Sequence, residues 1–190
     1  MQVEFSDDDN SIFVSALGSG GGDLKLYIMR FDLNNAESHI WQTYVGSDIS
    51  YSLESCDDGL LIVTSQGATL LNKDTGEVKA NAYFSKNISD IPEIDELRTV
   101  VFSDTASSGD VVVLYGEDLA AGETLYVENL TKVCVDSGKC YVLSGSQLTS
   151  YDSSFKQIQI YELDDVYSDM IIMNNYAYLL GYNEVQRIAL

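Results

Sequence analysis

Short apolar runs follow polar turn clusters along this chain, and the runs are unbroken rather than alternating. Cys56-Asp57-Asp58-Gly59 precedes Leu60-Leu61-Ile62-Val63, Asp136-Ser137-Gly138 precedes Lys139-Cys140-Tyr141-Val142-Leu143, and Asn174-Asn175 precedes Tyr176-Ala177-Tyr178-Leu179-Leu180. Asp, Asn and Gly tolerate the left-handed backbone of tight hairpin turns, and short runs rich in Val, Ile and Tyr between such clusters read as strands. The upstream partners Ile49-Ser50-Tyr51-Ser52-Leu53, Val133-Cys134-Val135 and Met170-Ile171-Ile172-Met173 read the same way. A strand that is apolar on consecutive residues is covered on both faces. The sheets of this chain are therefore expected to lie between other sheets. A two-sheet sandwich, with one wet face per sheet, would show cleaner alternation.

Internal repetition supports this reading. Val3-Glu4-Phe5-Ser6-Asp7 leads through a polar turn to Ile12-Phe13-Val14, just as Val100-Val101-Phe102-Ser103-Asp104 leads to Val111-Val112-Val113-Leu114. A Gly-containing loop and a further strand, Leu24-Lys25-Leu26-Tyr27-Ile28 or Thr124-Leu125-Tyr126-Val127, follow each. Turns thus recur near positions 10, 59, 109, 138 and 175. Duplicated small antiparallel sheets packed face to face describe an all-β, β-propeller-like radial array. The expected units span about 1–46, 47–84, 98–130, 131–163 and 166–190, within one domain 1–190 or a partial propeller. One segment, Asp90-Ile91-Pro92-Glu93-Ile94-Asp95-Glu96-Leu97, reads equally as a short helix capped by Asp90 or as an acidic loop.

Composition narrows the function classes. Thirty Asp+Glu against ten Lys+Arg give a formal charge of −20 over 190 residues, a field that repels nucleic acid and anionic membranes. No apolar run approaches the ~18–20 residues of a membrane helix, so no direct membrane insertion is expected. The start, MQVEFSDDDN, lacks the basic and apolar regions of a signal peptide. Three cysteines at no C-x-x-C spacing and a single histidine exclude the usual zinc and redox motifs.

The second unit reads Gly67-Ala68-Thr69-Leu70-Leu71-Asn72-Lys73-Asp74-Thr75-Gly76-Glu77-Val78-Lys79-Ala80. It resembles the quinoprotein-type (PQQ-like) propeller repeat, in which a strand ends in an acidic turn followed by Thr-Gly-Lys or Thr-Gly-Glu, with tryptophan three residues later. Thr75-Gly76-Glu77 matches, whereas Asn72 stands for the usual Asp and Ala80 for the Trp. In the first unit Phe31-Asp32-Leu33-Asn34-Asn35 and Trp41 match the two ends of the pattern, and Tyr151-Asp152-Ser153-Ser154 is a fainter echo in the fourth. The resemblance implies a propeller. Its cofactor-using members bind the quinone with calcium and a catalytic aspartate, and no matching motif is present for any of these. Its many non-catalytic members, among them assembly scaffolds, sensors and cell-surface proteins, are the better analogy.

Individual candidates for chemistry are weak. Asp7-Asp8-Asp9-Asn10 gathers oxygen donors but lacks the Gly and Glu spacing of a calcium loop, and it reads as a hairpin turn, as does Asp57-Asp58-Gly59. Gly18-Ser19-Gly20-Gly21-Gly22-Asp23 has no Lys-Ser or Lys-Thr opening a helix and reads as a loop between strands. His39 has no nucleophile elbow to support it and reads as a surface strand residue, with Trp41 in inter-blade packing. Thirteen tyrosines suit strands and also suit a sugar- or protein-binding surface. Asn87-Ile88-Ser89 and Asn129-Leu130-Thr131 match the glycosylation pattern at chance level. A three-residue loop Asp136-Ser137-Gly138 would set Cys134 opposite Cys140 within disulfide reach, whereas a two-residue loop would set Cys134 opposite Tyr141 and forbid the bond. Cys56 is left over as a partly buried thiol.

These readings point to a non-enzymatic propeller module, without cofactor or metal, that presents loops to a protein or glycan partner outside the cytoplasm. A quinoprotein-type enzyme and a purely structural segment of a larger surface protein are the alternatives. The last unit shows three strands where a blade has four, so the chain is expected to need upstream blades or self-association.

Overall fold

The computed structural model describes residues 1–6, 10–20, 22–86, 88–92, 98–105, 108–115 and 118–190, and every regular element among them is a β-strand. The first sheet runs β1 (Gln2–Phe5), β2 (Ser11–Gly20), β3 (Asp23–Asp32) and β4 (Asn35–Gly46). The second runs β5 (Ser50–Cys56), β6 (Gly59–Thr64), β7 (Gly67–Leu71) and β8 (Val78–Tyr83). The third holds β9 (Ile88–Asp90), β10 (Arg98–Thr105), β11 (Ser108–Tyr115) and β12 (Ala120–Glu128). The fourth holds β13 (Leu130–Asp136), β14 (Lys139–Ser144), β15 (Gln147–Tyr151) and β16 (Gln157–Glu162); the fifth has only β17 (Asp169–Met173), β18 (Tyr176–Leu180) and β19 (Val185–Ala189). In every sheet, strands adjacent in sequence are neighbours in space, a plain meander. The fold is all-β and built from repeated four-strand antiparallel sheets, the blade pattern that the continuous runs call for.

Two compact units carry these sheets, the first two in one and the last three in the other. In the first unit Phe13, Leu26, Ile28 and Trp41 of the first sheet meet Leu53, Leu60, Ile62 and Leu71 of the second. Leu61 and Val63, which point the other way from β6, are also fully buried. That is the burial a run such as Leu60-Leu61-Ile62-Val63 demands. In the second unit β14 does the same: Cys140 and Val142 pack with Val101, Val111, Val127 and Val133, while Tyr141 and Leu143 pack with Met170, Ala177 and Leu179.

The turn between third and fourth strands repeats in three sheets. The Asp32 carboxylate accepts the Asn34 N–H (2.8 Å), and the Asn72 amide oxygen accepts those of Asp74 (2.8 Å) and Thr75 (3.0 Å). The Asp152 carboxylate accepts those of Ser154 (3.0 Å) and Lys156 (2.9 Å). These are the positions that align in the sequence repeat, and each uses an Asx side chain to satisfy turn amides. Trp41 then docks on the next sheet's turn: its indole N–H donates to the Lys73 carbonyl (3.0 Å) and Thr43 donates to the Gly76 carbonyl (2.6 Å). Gly76 has φ +73°, and a Cβ there would sit 2.6 Å from the indole ring. Trp41 thus packs between sheets, as its sequence context indicates.

Several expectations need correction. The 136–139 hairpin has a two-residue loop, Ser137 (φ 51°) and Gly138 (φ 70°), which pairs Asp136 with Lys139. Cys134 therefore faces Tyr141 and Cys140 faces Val135, so the two sulfurs lie on opposite faces of the sheet and no disulfide forms. Gly18, Ser19 and Gly20 are not loop but the end of β2, paired with Lys25, Leu24 and Asp23. Asp90 ends the strand β9, and its carboxylate pairs with the Lys132 ammonium at 2.7 Å. Residues 93–97, the Asp7-Asp8-Asp9 cluster and Asn87 lie outside the described residues.

Candidate functional site

A groove of about 320 Å³ opens in the first unit where strand ends of its two sheets meet. It is lined by Val45 to Asp48 at the end of β4 and beyond, by Thr64, Gln66 and Gly67 to Thr69 around the β6–β7 turn, and by Asn81 to Tyr83 of β8. The strands deliver these residues because each runs out of apolar sequence here: the core stripe of β6 ends at Val63, and polar residues take over.

Asp48 organises the mouth. One of its carboxylate oxygens accepts the Ile49 N–H (2.7 Å); the other accepts the Ser65 hydroxyl (2.6 Å) and the Gln66 N–H (3.1 Å). Partial burial pushes its pKa up, but hydrogen bonds from Ser65, Ile49, Gln66 and Thr64 together outweigh that and hold the carboxyl below its ordinary 3.8. Asp48 thereby ties the β4–β5 connection to the β6–β7 turn. On the floor, β8 approaches β7 so closely at Gly67 that any Cβ there would collide with the Ala82 carbonyl oxygen. Thr69 donates to the Asn81 side-chain oxygen (2.9 Å), which leaves the Asn81 amide N–H groups as what this residue can offer a ligand. The Tyr83 ring is 88% exposed at the rim.

The groove therefore offers amide and hydroxyl groups, an ionised carboxylate and an aromatic face. Among the described residues, Asp48 and Tyr83 are its titratable lining groups. A carboxylate with a lowered pKa and three hydrogen bonds already accepted is poorly matched to general-base work near neutrality. The arrangement suits recognition rather than bond making.

The individual candidates for chemistry named in the sequence fall elsewhere, whereas Gly67, Ala68 and Thr69 of the repeat-like stretch, and one of the thirteen tyrosines, Tyr83, line the groove. His39 is exposed on β4, edge-on to Phe31 at 6.3 Å, and does not line the groove. Asp57 and Asp58 form the β5–β6 turn, where the Asp58 carbonyl accepts the Lys79 ammonium (2.6 Å). Asn129 sits between β12 and β13 with φ 53°. Cys140 is fully buried, and burial, with Cys134 nearby, pushes its thiol up to about 12. Among the described residues no group of three or more His, Cys, Asp and Glu is placed to hold a metal ion. Sequence reasoning missed Asp48, Thr69 and Asn81. The signal available for Asp48 was its position in Gly46-Ser47-Asp48, on the boundary between two repeat units.

No protein-family model matches the chain, and no curated protein matches it. Solved structures do. The N-terminal domain of Nup159 is 11% identical with a TM-score of 0.64, over 97% of this chain and 56% of that one. BamB from Moraxella catarrhalis is 13% identical with a TM-score of 0.52, over 92% of this chain and 54% of that one. The computationally designed Ika8 protein is 8% identical with a TM-score of 0.59, over 99% of this chain and 70% of that one. At such identities the likeness concerns the fold alone, and that fold is β-propeller-like. The chain spans about half the length of BamB and of the Nup159 domain.

Proposed function

We propose that this chain is a non-catalytic propeller module that binds a protein or glycan partner outside the cytoplasm, through the groove between Asp48, Asn81 and Tyr83. The observation that carries the reading is an almost fully exposed tyrosine ring standing over an open groove of amide, hydroxyl and carboxylate groups. An aromatic face beside such groups is the combination that takes a sugar ring or the edge of a polar loop. The extracytoplasmic location rests on the resemblance to non-catalytic, cell-surface propeller proteins. A glycan array, and a pull-down with the immobilised domain, test the reading. A ligand found by either is expected to lose at least tenfold in affinity with Tyr83→Ala and with Asn81→Ala. Binding unaffected by both substitutions would overturn the groove as its site.

We further infer that the module works alongside additional blades, from a longer polypeptide or from another copy. Val3 and Phe5 on the first sheet are 48% and 61% exposed, and Ile171 and Val185 on the fifth are 58% and 63% exposed. Outer faces of this kind favour a covering sheet. A stable monomer by light scattering, with little binding of a hydrophobic dye, would refute this.

A further inference from the structure

The groove in the first unit holds a charge that nothing of opposite sign accompanies. Among the described residues no Lys, Arg or His lines it. Cations of this unit serve other sites: Arg30 donates to the Asp74 carboxylate (3.0 Å), Lys79 to the Asp58 carbonyl (2.6 Å) and Lys73 to the Ser55 hydroxyl (3.4 Å). Asp48 is nevertheless ionised at neutral pH. A carboxylate offers about four acceptor positions, and the Ile49 N–H, the Ser65 hydroxyl and the Gln66 N–H take three of them. Little acceptor capacity is left for the hydroxyls of a sugar, whereas the negative charge acts over distance whatever bonds its oxygens make. The −20 of the whole chain adds to the same field.

The sheet face beside Asp48 has a shape as well as a charge. Asn81 and Tyr83 lie two apart on β8 and therefore on one face. Thr69 is the cross-strand partner of Asn81, but the partner of Tyr83 is Gly67, which has no side chain. The exposed Tyr83 ring thus meets no neighbour across the strand. A flat, weakly hydrated guanidinium stacks on such a ring while its N–H donors approach a carboxylate; the compact, strongly hydrated ammonium of lysine does so less well. Asn81 supplies a complementary group. Its oxygen is engaged by Thr69 (2.9 Å), so it has N–H groups to give, and these suit a main-chain carbonyl next to the arginine.

Taking the groove as the binding site, a reading on which this rests, we propose that it takes an arginine-bearing peptide segment of a protein partner. The guanidinium lies on the Tyr83 ring toward Asp48, and a carbonyl of the segment accepts the Asn81 side-chain N–H. Charge complementarity selects this occupant. A neutral glycan would use the ring but not the charge of Asp48, and an anionic one would be repelled by it.

The test follows the isotope-labelled 190-residue chain by NMR as the peptide acetyl-Gly-Ser-Arg-Ser-Gly-amide is added. Saturable shifts are expected at the Gln66 backbone amide and the Asn81 side-chain amide. The same peptide with citrulline, which keeps the size and removes the charge, should bind at least tenfold more weakly, and the lysine version several-fold more weakly. Raising sodium chloride from low to moderate should weaken the arginine peptide at least threefold and leave the citrulline peptide unchanged. Tyr83→Ala should cost at least tenfold and Tyr83→Phe should restore binding; the ring is almost fully exposed, so neither change disturbs the fold. Equal binding of the arginine and citrulline peptides, both lost with Tyr83→Ala, overturns the cationic partner and keeps the groove as a site. So does a neutral disaccharide, maltose, that saturates the groove where the arginine peptide does not. No shift from the arginine peptide at millimolar concentration also overturns the proposal. Arginine-peptide shifts that Tyr83→Ala and Asn81→Ala both leave unchanged overturn the groove itself as well.

Discussion

Replacing Gly76 by alanine probes the contact that joins the first two sheets. Two separate penalties arise there. The backbone sits at φ +73°, which costs an L-residue about 1–2 kcal/mol. The new methyl group would stand 2.6 and 2.7 Å from Trp41 ring carbons and 2.8 Å from the Thr43 hydroxyl, and such overpacking costs about 1–3 kcal/mol. Relief by movement of the indole would break its bond to the Lys73 carbonyl, so the strain cannot relax without loss. Together the two effects amount to roughly 2–5 kcal/mol, or a fall in Tm of roughly 4–20 °C for a chain of this length. Thermal unfolding by circular dichroism measures it. Trp41 is the only tryptophan, so its emission reports on the same contact and should shift to the red. Gly145→Ala is the control: φ is +54° there, but nothing lies within 4 Å of the added methyl, so only the backbone penalty applies. If Gly76→Ala costs no more than Gly145→Ala, or leaves the emission unchanged, Trp41 does not anchor the two sheets as described.

Three further outcomes follow from the charges and thiols. Asp48→Asn should destabilise by about 1–2 kcal/mol at neutral pH, since the charge strengthens three hydrogen bonds. The folded pKa of Asp48 lies below its unfolded value, so this contribution is present above 3.8 and fades as pH falls through the folded pKa; a Tm difference that persists at lower pH would refute the account. Iodoacetamide at mildly alkaline pH should modify half-buried Cys56 and Cys134 in the native protein but reach Cys140 only on unfolding, as peptide mass mapping would show. Tm should rise from low to moderate sodium chloride as the −20 charge is screened; a fall would mean that pairs such as Arg30–Asp74 and Lys132–Asp90 outweigh the net repulsion.

The repeat and the class of fold were legible because they are local properties. Asn174-Asn175 adopts the left-handed pair of a tight hairpin, with φ 54° and 62°, as its composition indicates. The consecutive apolar residues of β6 and β14 imply sheets covered on both faces, and the buried residues on both sides of those strands agree. The hairpin after Asp136 was not legible in the same way. Asp136-Ser137-Gly138 is compatible with two loop lengths that differ by one residue, and a one-residue slip turns every side chain of the strand to the other face. Packing decided it: Val133 joins Val142 against the third sheet, which sends Cys134 toward Met170, whose carbonyl it contacts at 3.2 Å.

Asp48, Thr69 and Asn81 illustrate the larger limit. Asp48 and Asn81 belong to stretches that look like any other turn or strand, and Thr69, although inside the repeat-like stretch from Gly67, is not one of the residues that carry the match. Their grouping depends on where three strands terminate in space, and on Gly67 letting β8 approach β7. Turn chemistry and side-chain periodicity act over a few neighbouring residues, so the sequence by itself determined the strands, their hairpins and the double-sided burial of the sheets. Register, sulfur placement and the groove arise from contacts between segments distant along the chain, where competing local solutions are close in energy and only tertiary packing selects among them.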